Sequence, residues 1–237
     1  MDGQNMHSNW LWLHRGLSAR EAIFYAKYTY APILSGSLLE FYDGTARHVR
    51  TVCEAQSEGK FEHGHLYWVK FDQAMPDAAA VGTLCAARCW EADSYLCRNS
   101  SFLNIAGTGH LSRYDNLVLL NNTYRNTMNP GILLGAEMPT HAEGGHATNV
   151  LIKGCRFDTC GFFPRYGTAG CIGVHSAGFD TPLNEDILIT DNDFGHSECA
   201  VHLMTARNVV IWKNRYHGIK QRLRIDESST EAIHFLD

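Results

Sequence analysis

Asp2, Asn5, His7, Glu143, Arg165, His175 and His202 are the side chains whose types and surroundings suit work on a hydroxyl-rich ligand. Asp2 precedes Gly3, so it reads either as a turn residue or as a carboxylate presented where a strand begins. Asn5 and His7 alternate, and a strand here would turn both to one face. An amide and an imidazole on that face can bond sugar hydroxyls or simply meet solvent. Glu143 lies in a loop, MPTHAEGGHAT, of the kind that builds binding faces on repeat scaffolds. His141 and His146 flank it, giving metal-ligand types without the i, i+4 helical spacing that would fix them. A second loop, GFFPRYGTAG at 161–170, offers Phe162, Phe163 and Tyr166 as stacking surfaces, and Arg165 for a hydroxyl or carboxylate. The alternative is that Phe162 and Phe163 cover the side of the body. His175 and His202 occur in short apolar runs, GCIGVHS and CAVHLMT. His202, between Val201 and Leu203, points outward, to a ligand groove or to solvent.

Those residues need a scaffold, and the sequence describes one by repetition. Phe102, Tyr124, Phe157, Phe194 and Tyr216 end five similar segments: SYLCRNSSF, NLVLLNNTY, NVLIKGCRF, DILITDNDF and NVVIWKNRY. Spacings of 22, 33, 37 and 22 residues describe a coil of about 22 residues with two insertions. Each segment alternates in the period of a half-buried strand, and a second short apolar run follows each aromatic. A unit that cannot bury its own apolar face must stack on its neighbours, which makes a solenoid. Ser100, Asn122, Cys155, Asn192 and Asn214 share one slot, where asparagines are expected to form a ladder from coil to coil. The fold class is all-β, a parallel β-helix with an inserted module.

In chain order, residues 1–30 read as the end of a β-helix coil and a lead-in strand. REAIFYAKYTY suits a strand better than a helix. Residues 31–83 read as a small antiparallel β-module, with hairpin loops expected at Asp43–Thr45 and Ser57–Lys60. Residues 84–237 read as the coils, resumed at Leu84. No capping helix is legible at either end, so the solenoid is expected to be truncated at both. Further N-terminal coils of the same protein are then expected as a partner.

The formal charge is −5 with no basic patch, which argues against nucleic acid as a partner. No apolar run is long enough to span a membrane as a helix. The eight cysteines lack zinc-finger spacing, and several fall at inward positions where a thiol behaves as a small hydrophobe. Trp212, the outward neighbour of Ile211, is a candidate platform for stacking or packing. MDGQNMHSNW has no signal-peptide pattern, and the compartment stays open, a secreted or periplasmic parent included.

The Asp2-Gly-x-Asn-x-His7 start, the module opening with LEFYDGT, the coil at Gly109–Ser112 and the Glu143-Gly144-Gly145 loop before NVLIKGCRF together form a more particular pattern. It resembles the C-terminal half of family 110 glycoside hydrolases, the α-1,3-galactosidases, and their uncharacterised β-helix relatives. The resemblance covers Asp2 to about Gly218. It implies a right-handed β-helix and an inverting hydrolase that uses aspartates, needs no cofactor or metal, and takes an oligosaccharide or polysaccharide substrate. Asp2 matches the second of an acidic pair in the family. Met1 stands at the place of the first, and a further family aspartate lies about one coil upstream. Catalysis then falls to Asp2 and sugar binding to Asn5, His7 and Glu143, with Glu143 alternatively a second carboxylate. A polysaccharide lyase or epimerase would need clustered cations beside a uronate, for which Arg165 is the one loop candidate. A non-catalytic adhesin-like or tailspike-like solenoid is the other reading.

Overall fold

A computed structural model describes residues 2–28, 32–42, 47–163 and 167–237. The chain is all-β among these residues, apart from one 3₁₀ turn at Arg88–Trp90. It divides into two compact units. One comprises Met1–Met6, Asp93–Ala136 and His146–Asp237; the other comprises His7–Ala92 and Glu137–Gly145.

The first unit is a parallel β-helix of three sheets. One sheet runs Gln4–Met6, His110–Ser112, Ile132–Leu134, Ile172–Val174, Cys199–Leu203 and Gln221–Ile225. A second runs from Tyr95–Arg98 through Leu117–Leu120, Thr148–Lys153, Asn184–Thr190 and Ala206–Trp212 to Thr230–Phe235. The third stacks Ser101–Ile105, Thr123–Thr127, Arg156–Cys160, Asp193–Gly195 and Arg215–His217. Every pairing is parallel, and the repeat positions align: Tyr95, Leu117, Val150, Ile187 and Val209 are register partners.

The aromatic positions form one continuous stack. Successive ring centroids from Phe102 to Phe194 lie 5.0 Å apart, and the last step, Phe194 to Tyr216, is 5.5 Å. Rung spacing in a sheet is about 4.8 Å, so one aromatic per coil fills the core at the natural repeat. The asparagine slot is a ladder of a different kind from the amide-to-amide one expected. Asn122 accepts from the Ser100 N–H (2.9 Å) and donates to the Cys97 carbonyl (3.0 Å). Asn192 accepts from the Cys155 N–H and donates to the Ile152 carbonyl. Only Asn192 and Asn214 also bond amide to amide, at 3.0 Å. The amides mainly satisfy the backbone at the corner between the second and third sheets, where a buried N–H or C=O would otherwise be unpaired. All eight cysteines are free, and Cys97, Cys155, Cys160, Cys171 and Cys199 lie buried in this unit.

The second unit is a closed antiparallel barrel. Its ring is Ser8–Ser18, Glu21–Ala26, Gly64–Phe71, Arg47–Phe61, Leu38–Tyr42 and Leu84–Ala87, closed by pairing of Trp10–Trp12 with Leu84–Ala86. Closure removes the unpaired edges that an open sheet would leave. Ala22, Phe24 and Ala26 point inward with no exposed surface, so REAIFYA is a strand. Phe24, Phe41 and Phe71 pack edge to face at 5.5–5.9 Å in the interior. Three expectations change. Ser8–Ser18 and Glu21–Ala26, read as lead-in to a module at 31–83, are themselves barrel strands. Leu84–Ala87 closes the barrel, and the solenoid resumes only at Tyr95–Arg98. Ser57–Lys60 lies inside the strand Arg47–Phe61, because Gly59 at φ +97° absorbs a register shift as a bulge. The chain reverses instead at Glu62–His63. The turn expected at Asp43–Thr45 falls outside the described residues.

Candidate functional site

Asp2 stands at the corner where the first sheet begins. Its Oδ1 accepts the Thr108 N–H at 2.7 Å, and the Gly3 N–H donates to the Thr108 carbonyl at 2.9 Å. Glycine follows Asp2 for a steric reason. A Cβ at Gly3 would lie 2.6 Å from the Gly109 carbonyl oxygen and 2.9 Å from the Phe102 ring. The same contact recurs one coil on, where Gly109 packs against Tyr124 and the Gly131 carbonyl. The start of the sheet can therefore approach the aromatic stack closely enough for Asp2 to reach the next coil's amide.

Gln4–Met6 pairs with His110–Ser112, which turns Asn5 outward and Gln4 and Met6 inward. The outward row of this sheet reads Asn5, Leu111, Leu133, Gly173, His202 and Arg224. Asn5 is exposed, and its Oδ1 accepts from the Arg113 guanidinium at 3.4 Å. Arg113, buried to 3% exposure, was not legible as a site residue; a cation directly after the short GHLS run was the available signal.

His202 lies in the same outward row as Asn5, four rungs away, about 19 Å at sheet spacing, so the two do not address one sugar ring. His202 faces outward as expected, yet it is only 3% exposed. Ala169 lies against it, and the His202 Nδ1 accepts the Ala169 N–H at 3.1 Å. Burial first, then the nearby Arg224, pushes its pKa down to about 4, which keeps the ring a neutral acceptor. His175 meets the neighbouring Thr168 (3.2 Å), and burial lowers its pKa as well. These two histidines hold Thr168 and Ala169, and His202 presents little surface to a ligand. Phe162 and Phe163 are exposed, at 59% and 62%. Arg165 lies outside the described residues.

His110 points into the core of the first coil. Its ring meets Tyr95 and Phe102 at 5.7 and 5.9 Å, and neither nitrogen has a hydrogen-bond partner among the described residues. Burial lowers its pKa to about 4.

In the barrel unit, Glu143–Gly144 pairs antiparallel with Ser8–Asn9. His7 is not part of the strand Gln4–Met6, so the alternation that linked it to Asn5 ends at Met6. Its Nε2 lies 3.4 Å from Glu143 Oε1, and its Nδ1 lies 2.7 Å from the Ser8 carbonyl. The structure thus joins His7 to Glu143 as a half-buried polar pair. Glu137 organises the rest of the loop by accepting the N–H groups of Thr140 and His141. In the parallel unit, His146 faces Asp115 at 3.8 Å. No cluster of three candidate metal ligands occurs among the described residues.

No protein-family model matches the chain. Alpha-1,3-galactosidase A of Bacteroides fragilis strain YCH46 is 28% identical over 171 residues, 70% of this chain and 26% of that protein. Alpha-1,3-galactosidase A of B. fragilis strain ATCC 25285 is 27% identical over the same shares. The match spans about a quarter of the length of these curated relatives. The similarity supports a distant relationship to glycoside hydrolases.

Proposed function

We propose, from that distant relationship, that this chain is part of an inverting glycoside hydrolase that removes terminal α-linked galactose from glycans. The observation that carries the reading is Asp2. Its carboxylate is fixed by the Thr108 amide, and a carboxylate has acceptor capacity beyond one N–H. Its position at the mouth of the first sheet sets it ahead of the exposed Asn5 amide and the Arg113 guanidinium, donors and acceptors of the kind that sugar hydroxyls take.

Inversion uses one carboxyl group to protonate the leaving oxygen and another, about 6.5–9.5 Å away, to activate water. Asp2 is proposed as one member of that pair. Asn5 is proposed to hold ring hydroxyls, with Arg113 orienting its amide. A retained hydrogen bond from Thr108 in both protonation states would keep Asp2 aimed while its proton leaves or arrives. Galactoside turnover unchanged in an Asp2→Asn variant would remove Asp2 from the mechanism.

A further inference from the structure

The parallel unit carries a groove that the residues above do not use. It opens at the corner where third-sheet strands hand over to the first sheet, and its volume is about 510 Å³, within the range of small-ligand sites. Thr159, Cys160, Gly161, Phe162 and Ser197 are among the residues that line it. The Phe163 N–H donates to the Met128 carbonyl at 2.9 Å, which fixes the backbone next to the exposed Phe162 ring. Two pairs mark the rim: Asp158 with His196 at 2.9 Å, and Glu198 with Lys220 at 2.7 Å.

The ligand class follows from this chemistry. Lys220 has its own carboxylate in Glu198 and the His196 ring faces Asp158, so no surplus positive charge awaits a phosphate, sulfate or uronate. What remains is an array of donors and acceptors beside an apolar ring face. That combination matches a neutral sugar, whose hydroxyls take the polar groups and whose C–H face stacks on the ring.

The groove shares its corner with Asp2. Asp2 precedes the strand Gln4–Met6, while groove residues precede Ile172–Val174, Cys199–Leu203 and Gln221–Ile225. These strands lie three to five rungs further along the same sheet, about 14–24 Å at sheet spacing. We infer that the Phe162 groove is a remote binding subsite for a neutral oligosaccharide chain whose other end reaches the Asp2 corner. The link to Asp2 rests on the glycosidase reading; the groove's own sugar binding does not.

Calorimetric titration of the full chain with neutral galacto-oligosaccharides of increasing length, from disaccharide to hexasaccharide, tests this. Phe162→Ala and Glu198→Gln, both at exposed positions, are compared with wild type. An oligogalacturonate of matching length is the charged control. Tighter binding of the longer neutral chains is expected, weakened about tenfold by Phe162→Ala, with disaccharide binding unchanged. Long chains that bind no tighter than the disaccharide, or that ignore both substitutions, overturn the subsite while leaving the Asp2 reading intact. Preference for the oligogalacturonate overturns the ligand class. Phe162-dependent binding in a chain that cleaves no α-galactoside upholds the subsite and sinks the hydrolase reading.

Discussion

Replacing Phe157 with alanine tests whether the aromatic stack holds the coils together. Phe157 is 2% exposed and lies 5.0 Å from the rings of Tyr124 and Phe194 on either side. Truncation removes a buried ring and leaves a cavity flanked by two rungs that the sheet hydrogen bonds prevent from closing. Such Phe→Ala changes cost about 3–5 kcal/mol. Phe102, the first rung, is half-buried and stacks on Tyr124 alone. Because one face of its ring is stacked where Phe157 has two, its truncation should cost about 1.5–2.5 kcal/mol. Urea unfolding followed by circular dichroism reads the difference. With an m-value of about 2 kcal/mol/M, Phe157→Ala should lower the midpoint by about 1.5–2.5 M, and Phe102→Ala by about half as much. Equal shifts for the two variants, or a Phe157→Ala cost under about 1 kcal/mol, would refute the idea that the stack is a shared core element.

Two other substitutions probe buried polar groups. Asn192→Ala leaves the Cys155 N–H and the Ile152 carbonyl unpaired, so a loss of about 2–4 kcal/mol is expected in the same urea assay; a change within about 0.5 kcal/mol would count against the corner ladder. His110 has a native pKa of about 4, below its unfolded value of about 6.5. The native ring is neutral while the unfolded one takes a proton first, so its contribution is intact above pH 6.5 and declines as pH falls toward 4. The slope is about 1.4 kcal/mol per pH unit, reaching about 3 kcal/mol. Urea midpoints at pH 7 and 4.5 should therefore diverge less in His110→Leu than in wild type, and an equal divergence would contradict the buried neutral ring.

The solenoid was legible because its register is written locally. Each coil carries one aromatic, one apolar pair at fixed offsets and one small or amide residue, and stacking requires these to align. The left-handed corner residues were only partly legible. Asn99, Asn121, Gly154 and Asp191 are types that tolerate positive φ, but Lys213 holds the equivalent corner at φ +55° with no such signature. Barrel closure joins Trp10–Trp12 to Leu84–Ala86, far apart in sequence, and no local pattern encodes it. Alternation turned His202 outward, yet it carries no information about what covers a face, and here Ala169 lies against the ring. For the same reason the Asn5 and His7 pattern overran its strand. Asp2 is a case where spacing alone offers a turn residue, and the role proposed for its carboxylate rests on the Thr108 hydrogen bond and on distant relatives.

The most direct test of the central claim follows galactose release from an α-1,3-linked galactosyl disaccharide by NMR, in wild type and Asp2→Asn. The account predicts β-galactose as the first product, since inversion at an α-linkage gives the opposite anomer. It also predicts a loss of about 10²–10⁴-fold in rate for Asp2→Asn with disaccharide binding retained. Release of the α-anomer first, or an Asp2→Asn rate equal to wild type, would contradict it.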